Sequence, residues 1–235
     1  MTDLNKKYSN KYENYYKKSD SNWRFICALD KAENIINLTN KYPHNKILEI
    51  GAGDGSILKI LDKRDFGDKY TALDISQSAI DKINNEKIKR LDKSQVFDGY
   101  SLPFDSNEFD LVILSHVIEH LEYPRKLIYE SIRVGKHMFV EVPCEDNMRL
   151  SSNYVENETG HINFYNPNTI RRLLQTCGLH LLDQQLSNPS FRVYKYTYGK
   201  KALFHYLPKS IALKLSKKLA SKFFTYHYST ILESN

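Results

Sequence analysis

Seven residues, Glu49-Ile50-Gly51-Ala52-Gly53-Asp54-Gly55, constrain this chain more than any others. They end an apolar run, Lys46–Ile50 (KILEI), that reads as a strand, and they lead into a segment over Ser56–Leu61 that reads as a helix. A chain that leaves a strand and enters a helix in so few residues must turn tightly. Glycine permits that turn and lets a ligand lie against bare backbone. The helix that follows offers unpaired N–H groups at its start, which favour a carboxylate or a phosphate. The spacing is G-x-G-x-G, not the dinucleotide fingerprint G-x-G-x-x-G, and the departure argues against NAD(P) as the ligand.

Two acidic residues extend the pattern. Asp74 ends a second apolar run, Tyr70–Asp74. It stands about twenty residues beyond the loop, where a carboxylate can accept hydrogen bonds from both hydroxyls of a ribose. Standing alone it would read as a helix cap. Asp98 follows a short third run, Gln95–Phe97.

The rest of the chain alternates in the same way. Asp110–Leu114 (DLVIL), Met138–Val142 (MFVEV) and Thr225–Glu233 (TYHYSTILE) read as strands, with helices near 76–83, 124–132 and 167–177, the last closed by Gly178. Alternation of this kind specifies a mostly parallel sheet covered on both faces. Residues 5–40 read as helical. Tyr8, Tyr12, Tyr15 and Tyr16 recur at helical spacing there, and Asn22 is a candidate cap for an apolar face carrying Phe25, Ile26, Leu29 and Ile36. With 235 residues and neither a repeat nor a Pro- or Gly/Ser-rich linker, the chain fits one domain. Within it, residues 1–42 form a helical cap, 43–187 the core, 188–223 a helical insertion and 224–235 the last strand.

The first twenty residues are polar, and no window reaches the roughly 20 apolar residues that a membrane span needs. The three cysteines, Cys27, Cys144 and Cys177, are too scattered for a disulfide framework or a CxxC metal site, so a cytoplasmic protein is expected. Net charge is +6, and its placement is uneven. Residues 199–222 hold seven lysines and no carboxylate, which leaves the remainder close to neutral. In that stretch Ile211, Leu215, Leu219 and Phe223 make an apolar stripe at i+4 spacing. It reads as a helix packed on the domain and covering the active site, with its lysines solvated. Attachment to a membrane surface is the alternative. Lysines facing the pocket would imply an anionic substrate.

From the loop onward the chain resembles the class I SAM-dependent methyltransferases. It is similar to the branch reading ELGCGTG, an acidic residue, D-x-x-x-LPF-x-x-x-x-FD-x-V and HxxEH. The matching residues are Glu49 to Gly55, Asp74, Asp98, Leu102-Pro103-Phe104, Phe109-Asp110 and Ser115 to His120, and the resemblance covers about 45–185. It implies a Rossmann-like seven-stranded α/β sheet, with N-terminal helices and a helical insertion before the last strand. The cofactor would be S-adenosyl-L-methionine (SAM), with S-adenosyl-L-homocysteine as product. The resemblance further implies that Gly51, Ala52, Gly53 and Gly55 line the methionine part, with Glu49 nearby. Asp74 would hold the ribose, Ile75 would pack on adenine, Asp98 and the Gly99 backbone would meet the adenine amino group, and Ser115 and His116 would flank the sulfonium.

Transfer of a methyl group to a hydroxyl calls for alignment and a base, and histidine titrates in the right range. His161, His116 and His120 are the candidates in that order. His161 lies in a long polar loop over about 144–166, and His116 and His120 follow the fourth strand at the carboxyl edge of the sheet. A backbone-bonding structural role is the competing reading for His120. Quinone-pathway O-methyltransferases are similar here but carry Glu at the position of His116 and use a divalent metal. His116, Glu119 and His120 are therefore the metal alternative to a metal-free site. The expectation is O-methylation of a small polar or anionic metabolite, a sugar or phosphorylated compound of the kind used in bacterial surface polysaccharide biosynthesis. No nucleic-acid partner and no stable membrane insertion are expected. The rivals are an RNA or protein methyltransferase and a non-catalytic SAM-binding partner protein.

Overall fold

A computed structural model describes residues 20–151 and 160–234. The tyrosines at 8, 12, 15 and 16, and the helix expected over residues 5–19, lie outside the described residues. Helix α1 (Ser21–Thr39) is capped two residues before the expected position. Asp20, not Asn22, accepts the free N–H groups of Asn22 (2.9 Å) and Trp23 (3.3 Å).

Strand β1 (Lys46–Ile50), helix α2 (Ser56–Lys63), β2 (Lys69–Asp74), α3 (Gln77–Asn85) and β3 (Leu91–Val96) form the first half. The second half contains β4 (Phe109–Ser115), a 3₁₀ turn over Ile118–His120, α4 (Pro124–Val134), β5 (Gly135–Pro143), α5 (Pro167–Gln175) and β6 (Leu179–Ser187). Helices α6 (Phe191–Tyr198), α7 (Ala202–Leu215) and α8 (Lys217–Phe223) then precede β7 (His227–Ser234). The seven strands lie in the order β3-β2-β1-β4-β5-β7-β6. β1 through β5 are parallel, and β7 is antiparallel to both β5 and β6.

The period of two along each strand sorts the core into two layers. Leu48 and Ile50 of β1 join Val112 and Leu114 of β4 on one face, whereas Ile47, Leu111 and Ile113 pack on the other. Both central strands are buried on both sides, which is why their sequences read as unbroken apolar runs. The edge strands read differently. β3 extends to Leu91, well before the expected Gln95, and is largely exposed (LDKSQV). β6 carries polar residues through LHLLDQQLS and was not apparent from periodicity.

The insertion departs from expectation. The stretch read as a helix forms two, α7 and α8, and the stripe of Ile211, Leu215, Leu219 and Phe223 faces solvent and not the domain. The opposite side of α7 makes the attachment. Tyr206 packs edge-on against Phe191 and Tyr194 of α6, Ser210 Oγ accepts from Asn188 Nδ2 at 3.0 Å, and Tyr226 OH donates to the Lys209 carbonyl at 2.7 Å.

Where α4 runs directly into β5, space is so tight that a Cβ on Gly135 would lie 2.4 Å from Val112 Cγ2 and 3.2 Å from the Ser131 carbonyl. Val112 is fully buried in β4 and has nowhere to move. Gly135→Ala is therefore expected to cost about 1–3 kcal/mol of stability, the range for overpacking. Urea unfolding reads the loss, and Val112→Ala in the same chain should recover part of it.

Candidate active site

The strand order reverses between β1 and β4, and the crevice outside the carboxyl ends of the strands at such a point is where ligands bind in open α/β sheets. A cavity of about 490 Å³ lies there, within the range of small-molecule sites. One wall comes from the glycine loop and the ends of β2 and β3. Another comes from the residues after β4 and β5, and α1 closes the side with Trp23, Arg24, Cys27 and Lys31.

The loop holds its shape by left-handed backbone. Gly51, Gly53 and Gly55 have φ of 72°, 59° and 75°. A Cβ at Gly51 would meet Val117 Cγ2 at 2.7 Å. The N–H groups of Gly51 and Ala52 donate to the Leu73 carbonyl, at 2.8 and 3.0 Å, fastening the loop to β2. Glu49, Gly51, Ala52 and Gly53 line the cavity, as do Asp74, Ile75, Asp98, Gly99, Ser115, His116, His120 and His161. Gly55 does not. It is buried at the start of α2, where a side chain would meet Ile83 and Ile88 of α3 and the following turn at 3.1 and 3.3 Å.

Each carboxylate is held differently. Asp74 is buried and accepts from Gly53 N–H at 2.8 Å and Ser76 N–H at 3.0 Å. Ser76 caps α3, so Asp74 orders the loop and is not the helix cap. Asp98 accepts from the N–H groups of Tyr100 and Ser101, at 2.8 and 2.7 Å. Its partial burial opposes ionisation, but those bonds keep its carboxyl below the usual range. Glu49 is 1% exposed, and its Oε2 has no hydrogen-bond partner. Burial pushes that carboxyl well above its ordinary value. Arg24 reaches from α1 to Asp54 at 2.7 Å and ties the helix to the loop.

The histidines fall into two groups. His116 takes a left-handed backbone (φ 58°), and its N–H donates to the Glu141 carbonyl at 2.9 Å. Its ring lies between two fully buried carboxylates, with Nδ1 3.4 Å from Glu119 and Nε2 3.3 Å from Glu141. Burial and the nearby Lys31 disfavour charge on this imidazole, but the two carboxylates prevail and raise its pKa. Burial would likewise raise both glutamates, yet the facing His116 holds each down at about 2. Asn34 and Ser229 also donate to Glu141 Oε2, each at 2.7 Å. His227 packs edge-on against His116, and burial with the neighbouring charge lowers its pKa to about 3.

The second group is His120 and His161, edge-on with ring centroids 4.7 Å apart. His120 Nδ1 lies 3.1 Å from the Gly160 carbonyl, and burial lowers its pKa. His161 is 9% exposed, and its Nδ1 is 2.6 Å from Glu145 Oε2.

Among the described residues, two sets bring donor atoms within 4.8 Å of one another, as a metal would require: His116, Glu141 and His227, and Glu119, His120 and His161. Glu119 thus groups with His120 and His161, not with His116 and His120. In the first set the two carboxylates facing His116 favour its charged form, and an imidazolium has no lone pair to ligate with. The second retains the chemistry for a divalent ion.

Glu141, Glu145, His227 and the inner face of α1 were missed at the sequence level. Glu141 had a legible signal, a carboxylate inside the apolar run MFVEV. Arg24 and Lys31 stand seven residues apart on the face of α1 that turns inward, a spacing noticed only for the apolar positions.

Comparison with known proteins agrees with this architecture. Residues 24–184 match a family model described as a methyltransferase domain. The putative methyltransferase YrhH of Bacillus subtilis is 27% identical over 126 residues, 51% of this chain and 69% of that protein. The polyketide synthase-nonribosomal peptide synthetase ACE1 of Pyricularia oryzae is 32% identical over 137 residues, 52% of this chain. The chain spans only 3% of that synthetase's length. Among solved structures, geranyl diphosphate C-methyltransferase from Streptomyces coelicolor, in complex with Mg²⁺, geranyl diphosphate and S-adenosyl-L-homocysteine, superposes with a TM-score of 0.67 at 11% identity. That match covers 100% of this chain and 99% of the other.

Proposed function

The chain belongs to the SAM-dependent methyltransferases, and from that membership we propose that it methylates an oxygen of a small polar acceptor, with His161 as the base. When bound, SAM supplies a methyl group already activated on a sulfonium. The residues present fit it. Glu49 offers a buried carboxyl oxygen without a partner, suited to the ammonium of the methionine part. The loop N–H groups, Asp74, Ile75, Asp98 and Gly99 line the remainder, and Ser115 and His116 stand where β4 ends.

The observation that carries the choice of base is the 2.6 Å contact between His161 Nδ1 and Glu145. With Glu145 accepting the Nδ1 proton, the lone pair of the imidazole resides on Nε2, the form able to take a proton from a hydroxyl. The two carboxylates facing His116 raise its pKa and so favour its charged form, which suits it less to that task. The acceptor side is polar, with His120, His161, Glu145, Thr225 and His227 on its walls. None of the seven lysines of 199–222 lines this cavity. The case for an anionic acceptor from those lysines therefore lapses, and neutral polyhydroxylated compounds such as sugars become the first class to screen.

The cofactor assignment is tested by calorimetric titration of SAM and S-adenosyl-L-homocysteine into the wild type and Asp74→Asn. Loss of the charge-assisted bonds to ribose and loop is expected to weaken binding by about 10- to 100-fold, equivalent to about 1.5–3 kcal/mol. Tight binding that Asp74→Asn leaves unchanged would remove Asp74 from the site. Methyl transfer is then sought against a panel of hydroxylated acceptors, with bulk RNA and denatured protein as the contrasting classes.

A further inference from the structure

The structure leaves one surface without a use in methyl transfer. On α7 the residues Leu203, Phe204, Leu207, Ile211 and Leu215 are all exposed, Phe204 by 79% and Leu215 by 81%. At 100° per residue they occupy a single arc of about 120°. Leu219 and Phe223 of α8, four residues apart, are exposed as well. Exposed apolar side chains scattered singly are ordinary, but a contiguous helical face of them marks a surface made for contact.

Its charge decides what it contacts. Lys200, Lys201, Lys214, Lys217, Lys218 and Lys222 are exposed on the same two helices and their lead-in turn. No aspartate or glutamate occurs between 199 and 223. A second copy of the chain would set one lysine-rich segment without carboxylates against another, and like charges so placed repel. No helix among the described residues is long and apolar enough to cross a membrane. The combination is that of a helix lying in the plane of a bilayer, with apolar side chains sunk among the acyl chains and lysine stems reaching up to anionic headgroups. We propose that α7 and α8 dock this protein peripherally on an anionic phospholipid surface. α7 is fixed to the domain through Tyr206, Ser210 and Lys209, and α8 through buried Ala220 and the Lys222 carbonyl, which accepts from Met148 N–H at 2.9 Å, so the face meets the bilayer as a preformed platform.

The test is sedimentation with vesicles of phosphatidylcholine alone and of phosphatidylcholine mixed with phosphatidylglycerol. The wild type should pellet with the mixed vesicles, be released by high salt and ignore the neutral ones. Phe204→Ser with Leu215→Ser should reduce partitioning by at least about tenfold, from the apolar area removed. Lys217→Gln with Lys218→Gln should weaken binding and flatten its salt dependence. All four positions are exposed, and unchanged thermal unfolding would verify the fold of each variant. Wild-type protein that stays in the supernatant with anionic vesicles overturns the proposal, as does equal binding to neutral vesicles. A concentration-dependent dimer abolished by the Phe204/Leu215 pair would assign the face to a second copy and overturn it too.

Discussion

His161→Ala is expected to lower kcat by about 10²- to 10⁴-fold, the usual worth of a positioned base, while leaving SAM binding within about twofold of wild type. The asymmetry follows from position. In the proposed reading His161 serves the acceptor, and the groups that serve the cofactor are the glycine loop and the ends of β2 and β3, which line the same cavity. Glu145→Gln provides the sharper comparison. An amide at that position keeps the size of the side chain but can donate to Nδ1, which moves the lone pair of the imidazole away from Nε2. It is expected to reduce kcat strongly with little change in KM, because the wrong tautomer is a defect of the transition state and not of acceptor binding. The assay is initial-rate methyl transfer to whichever hydroxylated acceptor the screen yields, with titration of S-adenosyl-L-homocysteine as the control. A His161→Ala enzyme with wild-type kcat would remove the residue from the chemistry. A parallel loss of SAM binding would mean that it shapes the pocket and not the reaction.

What the sequence disclosed about this site depended on how local the information was. The glycine loop, Asp74 and Asp98 each sit at the end of a strand, so a reading of strand ends alone brings them together, and the cavity is lined by them. Central strands buried on both faces announce themselves as apolar runs, and β1, β2, β4 and β5 were legible for that reason. The edge strands were less so: only the end of β3 was read, and β6 was missed. β6 is half polar because only part of it is covered, and a pattern rule built on burial finds little in it. The charged network was hidden for a different reason. Glu141 and His227 join His116 and Glu119 from strands up to about a hundred residues away, because β5 lies beside β4 and β7 beside β5. The apolar stripe of α7 and α8 was seen correctly as a stripe and assigned to the wrong side, since periodicity identifies a face but not what lies opposite it.

That hidden network carries the largest expected effect on stability. Glu141→Gln should destabilise the protein by up to about 3–5 kcal/mol near neutral pH, the cost of breaking a buried ion pair, with Glu119 left as the one carboxylate facing His116. The substitution is nearly isosteric, so packing is not the cause. It removes one of the two carboxylates facing the His116 ring, and a neutral amide must then satisfy the donors Asn34 and Ser229 as well. The pH dependence gives a second signature. Glu119 and Glu141 fall from an ordinary 4.5 to about 2 in the folded state, so their contribution is complete above pH 4.5 and is lost as pH falls toward 2. His116 is raised above 6.5, so its contribution is complete below pH 6.5 and is lost as pH rises through the elevated value. Both limbs describe one set of charges and are counted once. The wild type should therefore be most stable between those limits, and Glu141→Gln should flatten the acid limb and shrink the alkaline one. Urea midpoints across the pH range measure both. His116→Asn with Glu141→Gln should cost clearly less than the sum of the single changes, because the second substitution removes the charge that the first left stranded. Additive costs, or a Glu141→Gln protein as stable as wild type at every pH, would mean that His116 is neutral in the folded protein. The histidine would then return to the list of candidate bases.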